Sequence, residues 1–161
     1  MFKKVLLFLL VVLIIIQFIH PAKNQSEGAQ PNYIGNAFPM PQDVKLILEK
    51  ACNDCHSNNT VYPWYSRLQP VDWWMNNHVV DGKKHLNFDE YTHRNLRYQY
   101  HKLEEIAEQV KEGEMPMDSY TWMHKDARLS PAEKEKLISW ADAMRDTMMA
   151  HYPIDSLVRK K

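Results

Sequence analysis

The sequence predicts an all-α domain of about four or five helices, and three observations predict it. Apolar residues recur at i, i+3, i+4 and i+7 in several windows, which is the period of one face of a helix. No window alternates apolar and polar residues as a half-buried strand would, and there is no internal repeat. The last periodic window also opens with a complete helix-capping signature. With 161 residues, the chain is long enough for one domain of ordinary size and short for two.

The first element is the apolar N-terminus, where 17 of the first 22 residues are apolar. Lys3 and Lys4 precede a run from Val5 to Ile19, broken only by Gln17 and ended by His20-Pro21. A positive start followed by such a run is the layout of an export signal. No small-x-small cleavage site follows it, and no cysteine stands where a lipid could be attached. Residues 1–21 are therefore expected to be a signal peptide or an uncleaved membrane anchor, with the anchor favoured. Lys3 and Lys4 stay inside and the rest of the chain lies outside the cytoplasm, on the periplasmic side of the inner membrane. Residues 22–37, with Ser26, Gly28, Pro31, Asn32 and Gly35, have linker composition and are expected to be a flexible tether.

After Pro39 and Pro41, Val44, Ile47, Leu48 and Ala51 form a helical face that runs straight into Cys52. Residues 57–70 have loop chemistry yet carry Tyr62, Trp64, Tyr65 and Leu68. From Val71, the spacing of Trp74, Met75, His78 and Val79 predicts a helix ending near Gly82, followed by a weak stretch to Arg94. Leu96, Tyr100, Leu103, Ile106 or Ala107, and Val110 predict a further helix, with Gly113 as its C-terminal stop. Ser130, Pro131 and Glu133 form a capping box for the last helix. Its apolar face is Leu137, Ile138, Ala141, Met144 and Met148. The domain is expected over residues 38–152, with a tail at 153–161.

Charge and cysteine counts exclude several classes of function. Twenty basic residues balance twenty acidic ones, so no basic surplus points to nucleic acid. Without Lys3 and Lys4 the remaining 18 basic residues face 20 acidic ones, a formal charge of −2. Two cysteines exclude a disulfide-dense scaffold and a four-cysteine zinc site. They leave a short-loop disulfide, a redox dithiol, half of a mixed metal site, or a haem anchor.

Cys52-Asn53-Asp54-Cys55-His56 is C-x-x-C-H, the attachment signature of c-type haem. Two thiols three positions apart at a helical turn can reach the two vinyl groups of one porphyrin edge, and the next histidine presents a nitrogen to the iron. A thioredoxin-like dithiol would open a helix in a βαβ context, whereas this motif closes a helix. A zinc site would need a distant fourth ligand, and a disulfide across so short a loop would contribute little. One covalent haem c per chain is the reading adopted, with Cys52, Cys55 and His56 as its site residues.

The sixth iron position then decides function, because a methionine sulfur raises the potential and leaves no open site. Met115, in Gly113-Glu114-Met115-Pro116-Met117, is expected to be that ligand; the proline after it holds the backbone extended. Met117 and His78 are the rivals. The rings of Tyr62, Trp64, Tyr65, Trp73 and Trp74 can line a haem pocket, and Arg67, Arg94 and Arg97 could pair with propionates.

With these residues in place, the chain resembles the bacterial haem-binding domain family with a C-x-x-C-H motif, small exported proteins related in architecture to c-type cytochromes. The resemblance covers roughly Phe38 to Tyr152. It rests on Cys52 to His56, Tyr62-Pro63-Trp64-Tyr65-Ser66, Pro70-Val71, Trp73-Trp74, His78-Val79, Gly82 and Asn87-Phe88. Met115-Pro116, Tyr120, His124, Ala127, Leu129, Glu133, Leu137 and Trp140 extend it. It implies covalent haem at Cys52 and Cys55 with His56 as axial ligand, in a small c-type cytochrome-like helical domain. Such proteins commonly read Met-Pro-Pro where this chain has Met115-Pro116-Met117, which places a second sulfur near the loop.

The function expected is that of an exported monohaem electron carrier with His56 and Met115 on the iron, meeting redox partner proteins in the envelope. The alternative is a haem sensor or a peroxidase-like enzyme with an open sixth site. No evident Arg-His distal pair supports peroxide cleavage, so a carrier is expected over a catalyst.

Overall fold

The computed structural model describes residues 1–159. Among them are nine α-helices, two 3-10 turns and no strand, with a single parallel bridge between Asn32 and Glu90. The helices are α1 (Phe2–Ile16), α2 (Ile34–Ala37), α3 (Gln42–Ala51), α4 (Asn53–His56), α5 (Val71–His85), α6 (Leu96–Glu112), α7 (Asp118–Met123), α8 (Pro131–His151) and α9 (Ile154–Leu157). The 3-10 turns are Trp64–Arg67 and Lys125–Ala127. The all-α expectation holds, while the helix count of four or five is corrected upward. The additional helices are four to six residues long, too short to display a period.

The centre of the molecule is the pairing of α6 with α8, on which α3 and α9 pack. Leu103 and Leu137 are fully buried between them, with Ala141 and Met148 also sealed from solvent. Both helices start as their sequences require. The Asn95 side chain accepts from the Tyr98 amide at the start of α6, which ends at Gly113 in the left-handed region. At α8, Ser130 and Glu133 form the reciprocal capping box. The indole of Trp140 is buried and donates to the Pro39 carbonyl at 3.1 Å, which ties α8 to the turn before α3.

Two stretches without a helical period are nevertheless well buried. Residues 86–91 leave α5 as irregular chain, yet Phe88 and Tyr91 are among the most completely buried side chains. The expected tail at 153–161 holds α9 within its described part, and Leu157 lies buried against the core.

α1 is exposed along nearly its whole length. Its 15 residues span about 22 Å at 1.5 Å per residue, and no helix among the described residues is long and apolar enough to cross a membrane. The chain that follows α1 is bonded to the domain. Gln17 and Gln69 exchange two side-chain to backbone hydrogen bonds, and the Ile19 carbonyl accepts from the Gln69 amide and the Trp73 indole. His20 and Lys23 meet the two oxygens of Asp72 at 2.7 and 2.9 Å. Residues 22–37, expected to be a tether, continue in the same manner. Asn24 donates to the Ser57 carbonyl and to the Thr60 hydroxyl, its amide donates to the Tyr62 hydroxyl, and its side-chain oxygen accepts from Lys83. Such side-chain to backbone bonds leave no periodic trace in a sequence.

Candidate functional site

The apolar face of α3 is spent at Ala51, and the backbone kinks at Cys52 (φ −127°, ψ −42°) before resuming as the single turn α4. The Cys52 carbonyl accepts from the amides of both Cys55 and His56. The motif is thus a hydrogen-bonded turn of its own between α3 and α5, rather than the last turn of α3.

What lets this turn sit against α5 is Gly82. A Cβ at that position would stand 2.5 Å from the Cys55 carbonyl oxygen and 3.1 Å from the Cys55 Cβ. The expectation that Gly82 ends the helix is therefore corrected, since α5 runs on to His85. The glycine serves close approach at mid-helix, and its place one turn before the end explains why it reads as a stop.

Both cysteines are reduced. Burial pushes the Cys52 thiol up to about 12 and the Cys55 thiol up to about 11, with the neighbouring Cys55 and Asp54 adding to the respective shifts. These are protonated thiols, opposite to the lowered thiol of a dithiol redox site. No group of three His, Cys, Asp or Glu among the described residues is arranged to hold a metal ion directly.

His56 packs edge-on to Phe88 and its Nδ1 lies 2.9 Å from the Leu86 carbonyl. That bond fixes the ring with the proton on Nδ1 and leaves Nε2 as the lone-pair nitrogen. Burial lowers the imidazole's affinity for a proton, and the carbonyl contacts oppose this only in part. A neutral, oriented imidazole is the form that ligates a metal.

Beside Cys55 lies an apolar cavity. One wall is α4 with the α5 residues Trp74, Met75, His78 and Val79; the other is α7 with Tyr120, Met123 and the preceding Met117. α5 and α7 do not pack on each other, so the cavity is the slot between them. Asp54, inside the motif, ties the slot together. It accepts from the Tyr120 hydroxyl at 2.7 Å and from the Val61 amide at 2.9 Å. His124 stacks on Tyr120 and contacts the Tyr65 hydroxyl through Nε2 at 3.2 Å.

Of the site residues expected from sequence, the structure brings only Cys55 to this slot; Cys52 and His56 share its turn but do not line the slot, Cys52 being packed on the core and His56 against Leu86 and Phe88. Met115 is not among the side chains lining it. That residue lines a separate cleft with Trp122, Arg128 and Lys134. Of the five aromatic rings expected to line a pocket, Tyr65 and Trp74 do so, whereas Trp64 is exposed and Trp73 serves the N-terminal segment. Arg94 lies over the Tyr98 ring and Arg97 donates to the Asp155 carbonyl, both at the start of α6. Asp54 and Tyr120 were not singled out as site residues by sequence. The signals for them are the position of Asp54 between the two cysteines and the place of Tyr120 in the family resemblance.

The donor set of the turn is the one a covalent haem needs. Two free protonated thiols and a neutral, oriented histidine share one turn, and an apolar slot with sulfur and aromatic walls opens beside it. Comparison with known proteins agrees: residues 11–143 match the family described as a haem-binding domain. No curated protein and no solved structure gives a match.

Proposed function

The chain belongs to the haem-binding domain family, and from that premise we propose that it is an exported monohaem c-type cytochrome-like protein that carries single electrons. The observation that supports this most is the C-x-x-C-H turn itself, with Cys52 and Cys55 as free thiols and His56 held by the Leu86 carbonyl. Cys52 and Cys55 would be the attachment points, and His56 would supply an iron-ligating nitrogen. A bound haem supplies a one-electron iron couple. Val79 is buried at the slot, and the Leu86 carbonyl holds the His56 ring in one orientation, as a ligating imidazole would need.

The apolar N-terminus supports a place on the periplasmic side of the inner membrane, with the segment retained as an anchor. Retention of the anchor is supported by what lies just beyond it. Cleavage near Pro21 would separate Gln17, Ile19 and His20 from Gln69, Trp73 and Asp72, and Asp72 is buried. Redox proteins of the envelope are the partners this reading requires.

The test is maturation of the full chain in a host competent for c-type haem attachment. The expected result is haem that stays with the denatured polypeptide and is lost from it in Cys52→Ala and Cys55→Ala. Haem that is retained equally in both variants, or never covalently bound in the unmutated chain, would overturn the proposal.

A further inference from the structure

We propose that the face of the domain around the end of α1, formed by Phe18, Ile19, Leu68 and Trp73, rests on the surface of a lipid bilayer, so that the domain is seated on the membrane instead of trailing from it. The proposal rests on the anchor reading above and adds the surface through which the domain itself meets lipid.

No free length of chain separates the apolar helix from the domain. α1 ends at Ile16, and the next residue, Gln17, already exchanges two hydrogen bonds with the Gln69 backbone, at 2.9 and 3.3 Å. Two residues on, the Ile19 carbonyl accepts from the Gln69 side chain at 2.6 Å and from the Trp73 indole at 3.0 Å. His20 and Lys23 then close on Asp72. A flexible tether would let the domain take any distance from the bilayer that its length allows. Here the segment is bonded from its first residue, and the family match begins inside α1, at residue 11.

The helix is also short. At about 22 Å, α1 falls below a hydrocarbon core of about 30 Å, and it packs on no other helix among the described residues. A short apolar segment is accommodated by thinning the bilayer and drawing its flanking residues toward the lipid. The flanking residues here are those of the exit face, and their chemistry suits that depth. Phe18, Ile19 and Leu68 are large apolar side chains with 83%, 54% and 48% of their surface exposed. Trp73 is half-buried, with its indole N–H on the Ile19 carbonyl, and tryptophan is enriched where membrane meets water. Arg67, beside Leu68, is exposed and can lay its stem along lipid while its guanidinium reaches a phosphate. The carboxylate at the exit, Asp72, is buried and matched by Lys23 and His20, so its charge is not presented to the bilayer. A partner protein could also cover Leu68, but a bilayer is the one occupant that the departure of α1 itself brings to this place.

The experiment uses the full chain reconstituted into vesicles of phosphatidylethanolamine and phosphatidylglycerol, with a benzophenone amino acid placed at Phe18, Leu68 or Met149, one at a time. Phe18 follows the apolar helix, Leu68 belongs to the proposed face, and Met149 lies on α8 beside the Tyr100 hydroxyl. Leu68 and Met149 are matched in exposure, at 48% and 45%, and none of the three side chains is buried. Vesicle flotation reads membrane association, and mass spectrometry after irradiation reads lipid adducts. The expected result is flotation of all three proteins, with adducts at Phe18 and Leu68 several-fold above those at Met149. Adducts at Phe18 with Leu68 no higher than Met149 overturn the seating and leave the anchor standing. Equal adducts at all three positions also overturn it, because they mark adsorption without a defined face. A chain that fails to float overturns the anchor reading and this proposal together.

Discussion

Between α6 and α8 the contacts are apolar side chains sealed from solvent, with Leu103, Leu137, Ala141 and Met148 at their centre. Around Cys52–His56 the contacts are hydrogen bonds of mixed kind. Asp54, Asn24, Gln69, Asp72 and the Leu86 carbonyl each hold a neighbouring segment through a specific polar atom. The first arrangement gains free energy from area removed from water and is indifferent to direction. The second contributes less per contact and fixes orientation closely. This division gives an α6–α8 half that holds the fold and another half that keeps two thiols and an imidazole in defined places. The attachment half also contains the slot between α5 and α7.

The difference can be tested most forcefully in the apolar half. Leu137 is fully buried, and Leu137→Ala removes buried methyl groups and leaves a cavity, at a cost of about 3 kcal/mol. The whole chain should lose stability together in urea, with the loss unaffected by haem occupancy. In the attachment half the corresponding substitution is Gly82→Ala. Its added methyl would meet the Cys55 carbonyl at 2.5 Å, a backbone atom that cannot swing aside. Overpacking of this kind costs about 2 kcal/mol. The effect should concentrate on the motif, as a lower yield of covalent haem with the α6–α8 helical signal preserved. If Gly82→Ala instead unfolded the chain as broadly as Leu137→Ala, the two halves would not be energetically distinct.

The same division decides what could be read from the sequence. The helices α3, α6 and α8 were legible because each buries one stripe of a 3.6-residue period, and two of them carry an explicit side-chain cap. The attachment motif was legible because its spacing is chemistry in itself. Residues 17–24 were not, because Gln17, His20 and Asn24 work through single polar atoms that match no pattern. Phe88 and Tyr91 were equally silent, since buried irregular chain has no period. The different placement of Met115 and Met117 could not be read from local sequence either. The two side chains line different clefts, which no local pattern shows.

A smaller effect separates the halves by their response to acid. Burial tends to push the Asp72 carboxyl up, but Lys23 and His20 beside it hold it below its ordinary value of 3.8. A carboxylate with a lowered folded-state pKa binds fewer protons when folded than when unfolded. Its contribution is therefore complete at pH values above the ordinary carboxylate range and is lost as pH falls through the folded-state value. Asp72→Asn keeps the shape of the side chain and removes its charge, which weakens the bonds from Lys23 and His20. The cost at neutral pH should be about 1.5 kcal/mol, the usual worth of a hydrogen bond to a charged group. Urea unfolding of the full chain in mild detergent, for the variant and the unmutated protein at successive pH values, isolates this term. The gap between the two should be widest near pH 7 and should close as the solution is acidified below the ordinary carboxylate range. Leu137→Ala measured alongside should show a gap that does not change with pH, because nothing in that contact titrates. A gap for Asp72→Asn that stays constant to acid would mean that residues 17–24 are held by the uncharged bonds of Gln69 and Trp73, with the ion pairs contributing nothing measurable.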